Sequence, residues 1–277
     1  MFKEFVKYQS LGNDFILFDW TDRSDPFINE IITAANWRSH VAGLCDRHTG
    51  IGADGVLLLK NRFDSITEML IFNSDGSQAE ICLNGIRCSA HYLYHRDRQT
   101  QIIQIRSGSR LIHNIILPSD KTCNSFRILT QVAAPVYENS MTVSTREGVF
   151  DGHRVHVGNP HFVIFQKNEL PWLSQHGALL EQHPLFPHKT NVEFVWKDSD
   201  EILSPYRVLV YERGCGITLA CSSGAAAIMT ALQRLEMIKN EEVVKLAMPG
   251  GILECMISTS GDVSLIGNAH RVFSGYY

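Results

Sequence analysis

The segment Cys82-Leu83-Asn84-Gly85-Ile86-Arg87-Cys88-Ser89-Ala90 decides the reading of this chain, because Cys221-Ser222-Ser223-Gly224-Ala225-Ala226-Ala227-Ile228 repeats its plan. In each, a glycine stands three residues after the first cysteine, and apolar residues then recur at helical spacing. They are Ile86, Ala90 and Leu93 in the first, and Ala225, Ile228, Met229 and Leu232 in the second. That spacing predicts a helix after each cysteine, and the scarcity of charge in the middle turns predicts a buried one. Outward from these segments the correspondence continues. Asn73 lies nine residues before Cys82, and Glu212 nine before Cys221, an offset of 139. Gly12-Asn13-Asp14-Phe15 is answered by Gly158-Asn159-Pro160-His161-Phe162 at an offset of 146, and Ser107-Gly108-Ser109-Arg110-Leu111 by Pro249-Gly250-Gly251-Ile252-Leu253 at 142. Matches in the same order at a nearly constant offset predict a duplicated domain.

Short runs rich in β-branched and aromatic residues surround the two helices. They are 15–18, 56–59 and 69–72 before the first helix, and 153–157, 162–165, 192–195 and 206–211 before the second. Two more follow each helix, at 102–106 and 111–117 and at 243–247 and 251–258. Turn residues bound them, as expected of strands. Segments 26–40 and 169–183 are expected to be surface helices. Strands outnumber helices and the links are short, so the expected class is α+β, with two pseudo-symmetric homologous domains, each a sheet curled around a central helix. The expected division is 1–120 and 121–263, with a linker near Pro118-Ser119-Asp120-Lys121.

The bulk properties agree with a globular enzyme-sized chain. At 277 residues, about two domains are expected. Hydrophobic residues make up 44% and charged residues 19%, which excludes a disordered or low-complexity chain. Twenty-five basic against 29 acidic residues leave a net charge of −4, and no Lys/Arg block exists, which argues against nucleic acid and an anionic membrane as partners. The longest uncharged stretch, Gly214 to Gln233, holds three Gly, two Ser and two Thr, a poor membrane span. The first residues, with Lys3, Glu4 and Lys7, do not read as a signal peptide. Seven cysteines without a C-x-x-C spacing read as free thiols in a reducing, cytoplasmic compartment. Cys45, Cys88, Cys123 and Cys255 read as small core residues, as does Cys215. The histidines, His40 and His48 among them, show no metal-ligand spacing, so no metal is expected.

Cys82 and Cys221 carry the chemistry. A helix N-terminus offers unpaired N–H donors and partial positive charge, which favours a thiolate and binds a carboxylate. The N–H groups of Leu83, Asn84, Ser222 and Ser223 are the expected donors. One such cysteine in each half predicts two thiols facing each other across a cleft, with the active site between the domains. One thiolate and one thiol on opposite faces of a carbon invert a stereocentre, the first removing a proton and the second returning one.

These residues carry a resemblance that covers nearly the whole chain. Leu11-Gly12-Asn13-Asp14-Phe15, Arg47-His48-Thr49-Gly50-Ile51-Gly52-Ala53-Asp54-Gly55, Phe72-Asn73-Ser74-Asp75-Gly76-Ser77, Cys82-x-Asn84-Gly85-x-Arg87-Cys88, Gly158-Asn159-Pro160-His161, Tyr211-Glu212-Arg213-Gly214, Ala220-Cys221-Ser222-Ser223-Gly224-Ala225 and Pro249-Gly250-Gly251 stand in the order of the diaminopimelate epimerase family. The chain resembles these cofactor-independent isomerases of lysine and peptidoglycan precursor biosynthesis. The resemblance implies mixed, barrel-like sheets, with the C-terminal tail 264–277 returning to the first domain. It implies epimerisation of LL-2,6-diaminopimelate to meso-diaminopimelate, with no cofactor such as pyridoxal phosphate (PLP) and no metal. Cys82 and Cys221 become the acid/base pair, and His161 and Glu212 support the site and engage the reacting amine. Asn13, Asn73, Asn159, Asn191 and Arg213 recognise the substrate. Leu83, Asn84, Ser222 and Ser223 present N–H groups to the reacting carboxylate. The expected partners are the small-molecule substrate and a second copy of the chain in a homodimer, with neither nucleic acid nor membrane.

The family usually has glycine directly after each cysteine, where this chain has Leu83 and Ser222. A positive φ at Leu83 would cost about 1–2 kcal/mol. A related two-cysteine racemase of another amino acid, a redox-sensing protein and a catalytically impaired binding homologue therefore remain open at this point.

Overall fold

The computed structural model describes residues 4–61, 66–97, 100–118, 125–199, 201 and 204–277. The junction expected at residue 120 and Cys123 lie outside the described residues. The chain forms two compact units, Met1–Thr130 with Gly267–Tyr277, and Gln131–Ile266.

In the first unit, β1 (Glu4–Ser10) and β2 (Asn13–Asp19) form a hairpin with Ser10 paired to Asn13. Its two-residue turn places Leu11 at φ 53° and Gly12 at φ 79°, and a turn positive at both central residues matches the twist of the strands. The chain crosses through α1 (Asp25–Thr33) and α2 (Trp37–Cys45) to β3 (Gly55–Asn61), parallel to β2, and returns antiparallel in β4 (Thr67–Asn73). Helix α3 (Leu83–Asp97) crosses to β5 (Ile102–Ser107), parallel to β4, and β6 (Arg110–Ile116) and β7 (Ser125–Val132) follow. Helix α3 packs against β1 to β6 and is buried almost continuously from Leu83 to Leu93.

The second unit repeats these steps. β8 (Val136–Thr145) pairs with β9 (Gly148–His156), which pairs antiparallel with β10 (Pro160–Ile164). Helix α4 (Leu170–Glu181) leads to β11 (Asn191–Lys197), parallel to β10, and β12 (Tyr206–Glu212) returns antiparallel. After the short β13 (Gly216–Thr218), α5 (Ser222–Arg234) crosses to β14 (Val244–Met248), parallel to β12. β15 (Gly251–Ile257) and β16 (Val263–Tyr276) complete the set. Strands β9, β10, β11, β12, β14 and β15 thus follow the same parallel and antiparallel sequence as β1 to β6, with α5 in the place of α3. The end of β16 pairs with β1, Tyr276 opposite Glu4, and β16 also neighbours β7. The chain is an α+β protein built on barrel-like mixed sheets around buried helices.

The segment expected as one surface helix over 26–40 is two helices. The Thr33 hydroxyl bonds back to the Asn29 carbonyl at 2.6 Å, and Ala34 leaves helical geometry at ψ 142°. Nor are these helices purely superficial: Ile28, Trp37, Val41 and Leu44 are buried against β2, β3 and β4 residues such as Phe18, Leu58 and Phe72. Strands β1, β7, β8, β13 and β16 carried no separate expectation. β8 is an edge strand with little buried surface, so it lacks the apolar alternation that marks a strand.

Candidate active site

Both cysteines cap buried helices. Gly85 N–H donates to Cys82 Sγ and Gly224 N–H to Cys221 Sγ, each at 3.4 Å, while the cysteine carbonyls accept from Ile86 and Ala225 at 2.9 and 3.0 Å. Each sulfur therefore takes the third amide of its helix, the arrangement of an N-cap. Leu83 and Ser222 are the first helical residues, and neither is among the residues with positive φ. The strain that glycine would relieve is absent, so replacing glycine leaves the amide geometry of both helix starts intact.

Around Cys82 a chain of polar contacts holds one amide. The thiol donates to Asn13 Oδ1 at 3.7 Å, and Asn84 Nδ2 donates to the same oxygen at 3.3 Å. On its other side Asn13 Nδ2 donates to Asp54 at 2.9 Å. A carboxylate only accepts, so Asp54 fixes which end of the Asn13 amide meets the sulfur. Arg47 grips Asp14 with two nitrogens, at 3.1 and 2.7 Å, and Asp54 with one at 2.7 Å. The buried Lys7 adds an ion pair to Asp14 at 2.7 Å and a bond to the Gly52 carbonyl. Burial alone would push the Asp14 carboxyl up, but Arg47 and Lys7 outweigh it and hold Asp14 at about 2. Behind Asn84, the buried Arg87 reaches Asn84 Oδ1 and Ser10 Oγ, the latter at 3.1 Å. Asn73, at the end of β4, donates to Ser77 Oγ at 3.0 Å within its own turn.

Around Cys221 the partners are acidic. Ser223 Oγ lies 3.3 Å from the sulfur. Glu212 hydrogen-bonds Cys221 and accepts from Thr218 Oγ1 at 2.6 Å. Burial pushes the Cys221 thiol well above its ordinary range, and the charges of Glu212 and Glu193 push the same way. The lowering expected of a helix terminus is overridden here: Ser223 and the Gly224 amide lower the value, but by less than burial and two carboxylates raise it. Burial also raises the Glu212 carboxyl.

His161, fully buried on β10, presents Nδ1 to Glu193 Oε1 at 2.7 Å and Nε2 to Asn159 Oδ1 at 3.0 Å. Asn191 Nδ2 donates to the Pro160 carbonyl at 2.8 Å, and its Oδ1 accepts the Arg213 backbone N–H at 3.0 Å. The Arg213 guanidinium reaches the His188 carbonyl at 3.4 Å. Of the residues selected from the sequence, Asn13, Leu83 and Asn84 thus gather at Cys82. Glu212, Ser222 and Ser223 gather at Cys221, and His161 holds Asn159 and Glu193. Asn191 and Arg213 hold each other. Sequence reasoning missed Asp54 and Glu193 as partners within these sets; the Asp54 signal was the Arg47–Gly55 block itself. Among the described residues, no cluster of three or more His, Cys, Asp or Glu side chains has a metal-binding arrangement. Cys45, Cys88 and Cys255 are buried as expected, but Cys215, expected in the core, is exposed, because it lies in the tight turn after β12 with its N–H on the Glu212 carbonyl at 3.0 Å.

The sequence model of the family described as Diaminopimelate epimerase matches residues 5–115 and 154–272. The diaminopimelate epimerase of Carboxydothermus hydrogenoformans is 38% identical over 290 residues, covering 99% of each chain. That of Synechococcus elongatus is 36% identical over 294 residues, covering 98% of this chain and 97% of its own. Among solved structures, a hydroxyproline epimerase from Agrobacterium vitis with bound trans-4-hydroxy-L-proline aligns at a TM-score of 0.78 and 14% identity, over 99% of this chain and 90% of its own. A phenazine biosynthesis protein of the PhzF family from Bacillus anthracis aligns at 0.73 and 10% identity, over 100% and 99%. These two share the fold.

Proposed function

Because the chain belongs to the diaminopimelate epimerase family, we propose that it interconverts LL- and meso-2,6-diaminopimelate, as an isomerase that needs no cofactor, with Cys82 and Cys221 as the acid/base pair. The observation that carries this reading is the matched capping of the two helices, with each sulfur 3.4 Å from the third amide of its helix.

The thiolate form of one cysteine takes the α-proton and becomes a thiol. The electron pair left on carbon spreads into the carboxylate, whose added charge is met by helix-start N–H groups of Leu83, Asn84, Ser222 and Ser223. The thiol of the other cysteine then gives its proton to the opposite face. Cys221 rests as the thiol, since burial and two carboxylates oppose its ionisation. When the reaction runs the other way, its proton has an acceptor in hydrogen-bonded Glu212, whose own carboxyl is raised by burial. His161 and Glu212 meet the reacting amine, while Asn13, Asn73, Asn159, Asn191 and Arg213 bind the substrate. Arg213 supplies the charge for the distal carboxylate.

The ordinary backbone at Leu83 and Ser222 favours this reading over an impaired binding homologue. Among the described residues no helix is long and apolar enough to cross a membrane; the cytoplasmic placement we propose rests on the free cysteines. We also propose a homodimer; the exposed Val272, Phe273, Tyr276 and Tyr277 at the chain end support a self-contact. Solvent deuterium should enter the α-carbon of diaminopimelate without added pyridoxal phosphate or metal, and lysine, proline and histidine should not exchange. Exchange of proline or histidine with none of diaminopimelate would refute the assignment. Cys82→Ala and Cys221→Ala should each lose turnover while keeping the native melting behaviour.

A further inference from the structure

The duplication makes one buried pair of side chains conspicuous. In the first unit the parallel pairing sets Phe15 opposite Gly55, and in the second it sets His161 opposite Asn191. Phe15 and His161 are therefore equivalent positions, and so are Leu57 and Glu193, each two residues further along. The helix glycines confirm the match. A Cβ on Gly85 would meet Leu57 at 2.8 Å, and a Cβ on Gly224 would meet Glu193 Oε1 at 2.6 Å. The same place under the same helix turn thus holds an apolar Phe–Leu pair in one half and a His–Glu pair in the other. Both members of each pair are buried, with Leu57 and Glu193 each at 0% exposure. Leu57 shows that the fold needs only an apolar filler there, and a buried carboxylate is an expensive substitute for one.

We infer that Glu193 is a positioning residue for the proposed epimerisation: its carboxyl shares a proton with His161 Nδ1 and so fixes which way His161 and Asn159 present their hydrogens. The inference rests on the epimerase reading for its catalytic part alone. Proton counting supports it. His161 has an oxygen at each ring nitrogen, Glu193 Oε1 at 2.7 Å and Asn159 Oδ1 at 3.0 Å. Either Glu193 is ionised and both ring nitrogens carry hydrogen, or Glu193 keeps its proton, donates it to Nδ1, and Nε2 alone carries hydrogen. Both arrangements hold two protons and no net charge, so the proton can move between Glu193 and His161 without leaving a net charge in a dry interior. In both, Nε2–H points at Asn159 Oδ1, which turns the Asn159 amide N–H groups away from the ring. The second carboxylate oxygen, Glu193 Oε2, is buried and has no hydrogen-bond partner among the described residues. The pair lies beside the reacting groups, since Glu193 Oε1 sits against Gly224, whose N–H donates to Cys221 Sγ at 3.4 Å.

The test uses Glu193→Gln, which keeps the shape, and the double variant His161→Phe/Glu193→Leu, which copies the Phe15–Leu57 pair. Three readouts are needed: thermal melting, α-proton exchange of diaminopimelate, and the imidazole proton resonance of His161 Nδ1 in the substrate-free protein. A shared proton gives a far-downfield resonance in the wild type, which Glu193→Gln should lose. The Gln variant should melt within a few degrees of wild type. Its kcat should fall at least about 100-fold, the lower end of what acid–base groups contribute, with KM moving far less. The double variant should be at least as stable as wild type and inactive. Exchange retained within threefold in Glu193→Gln, or a His161 resonance the same in both proteins, would overturn the inference. A wild type that exchanges no diaminopimelate proton would instead defeat the functional reading, and the resonance would still decide whether Glu193 holds His161.

Discussion

Adding one methyl group at each helix start should separate the two halves of the duplication. Gly85→Ala and Gly224→Ala make the same chemical change at the third residue of equivalent helices. Each gains about 1 kcal/mol of helix propensity over glycine. The opposing term differs. At Gly85 the new Cβ would meet the δ-methyl of Leu57 at 2.8 Å, with its next neighbours at 3.6 and 3.7 Å. A terminal methyl can turn aside, so overpacking stays near the lower end of its usual range, about 1 kcal/mol, and the net change is close to zero. At Gly224 the Cβ would meet Glu193 Oε1 at 2.6 Å and Cδ and Cγ at 3.2 Å. That carboxylate is fully buried and hydrogen-bonded to His161 at 2.7 Å, so moving it breaks a charge-assisted bond. Such a bond is worth about 1.5–3 kcal/mol, and leaving its partners unsatisfied adds about 1–3 kcal/mol. After the propensity gain, Gly224→Ala should lose roughly 1.5–5 kcal/mol and most of its α-proton exchange. Urea unfolding and deuterium exchange on the two variants measure both effects. A Gly224→Ala protein as stable and active as Gly85→Ala would show that Glu193 can move freely, and the reasoning would fail.

Glu212→Gln removes a charge that raises the Cys221 thiol, so this thiol should titrate at lower pH, followed by ultraviolet thiolate absorbance against a Cys221→Ala control, even as turnover falls. An unchanged or higher titration point would mean that Glu212 does not act on the sulfur. Asp14 lies at about 2 when folded, below its ordinary value. Its stabilisation is therefore present above about pH 4 and lost as pH falls toward 2; it amounts to on the order of 1–2 kcal/mol after screening at the half-exposed Arg47. Arg47→Ala should flatten that acid limb in urea titrations. Asp54→Leu should free the Asn13 amide to turn and weaken turnover without disturbing the redox or melting behaviour of the Cys221 side; unaltered turnover would show that Asn13 needs no such anchor.

The helix-bearing segments were legible because their signals are local. Cysteine, glycine and a 3.6-residue apolar rhythm occur within a dozen residues of each other, and α3 and α5 start one residue after Cys82 and Cys221. The repeated Gly-Asn steps at Gly12 and Gly158 were legible for the same reason, and the structure places both glycines at positive φ. What escaped depended on neighbours far away in sequence. The break at Ala34 has no proline or glycine to announce it. The return of the tail in β16 to β1, more than 250 residues distant, was expected from the family resemblance alone, because no local pattern can express it.

Glu193 shows the most instructive failure of local reading. Asn191-Val192-Glu193-Phe194-Val195 alternates polar and apolar residues in its first four positions, which in a half-exposed strand would turn Glu193 to solvent. Here α4 and α5 both pack on β11, and Asn191 to Val195 are all buried. Val192 and Phe194 join the apolar cluster with Leu173 and Leu180 of α4, while Glu193 faces the start of α5 at Gly224. With both faces covered, the alternation marks two different interiors, one for packing and one for chemistry. The first half confirms which is which, because at the equivalent place β3 continues as Val56-Leu57-Leu58-Leu59 and buries a leucine. A polar residue kept on the covered face of one copy and absent from the other is therefore a sign of function that duplication makes readable.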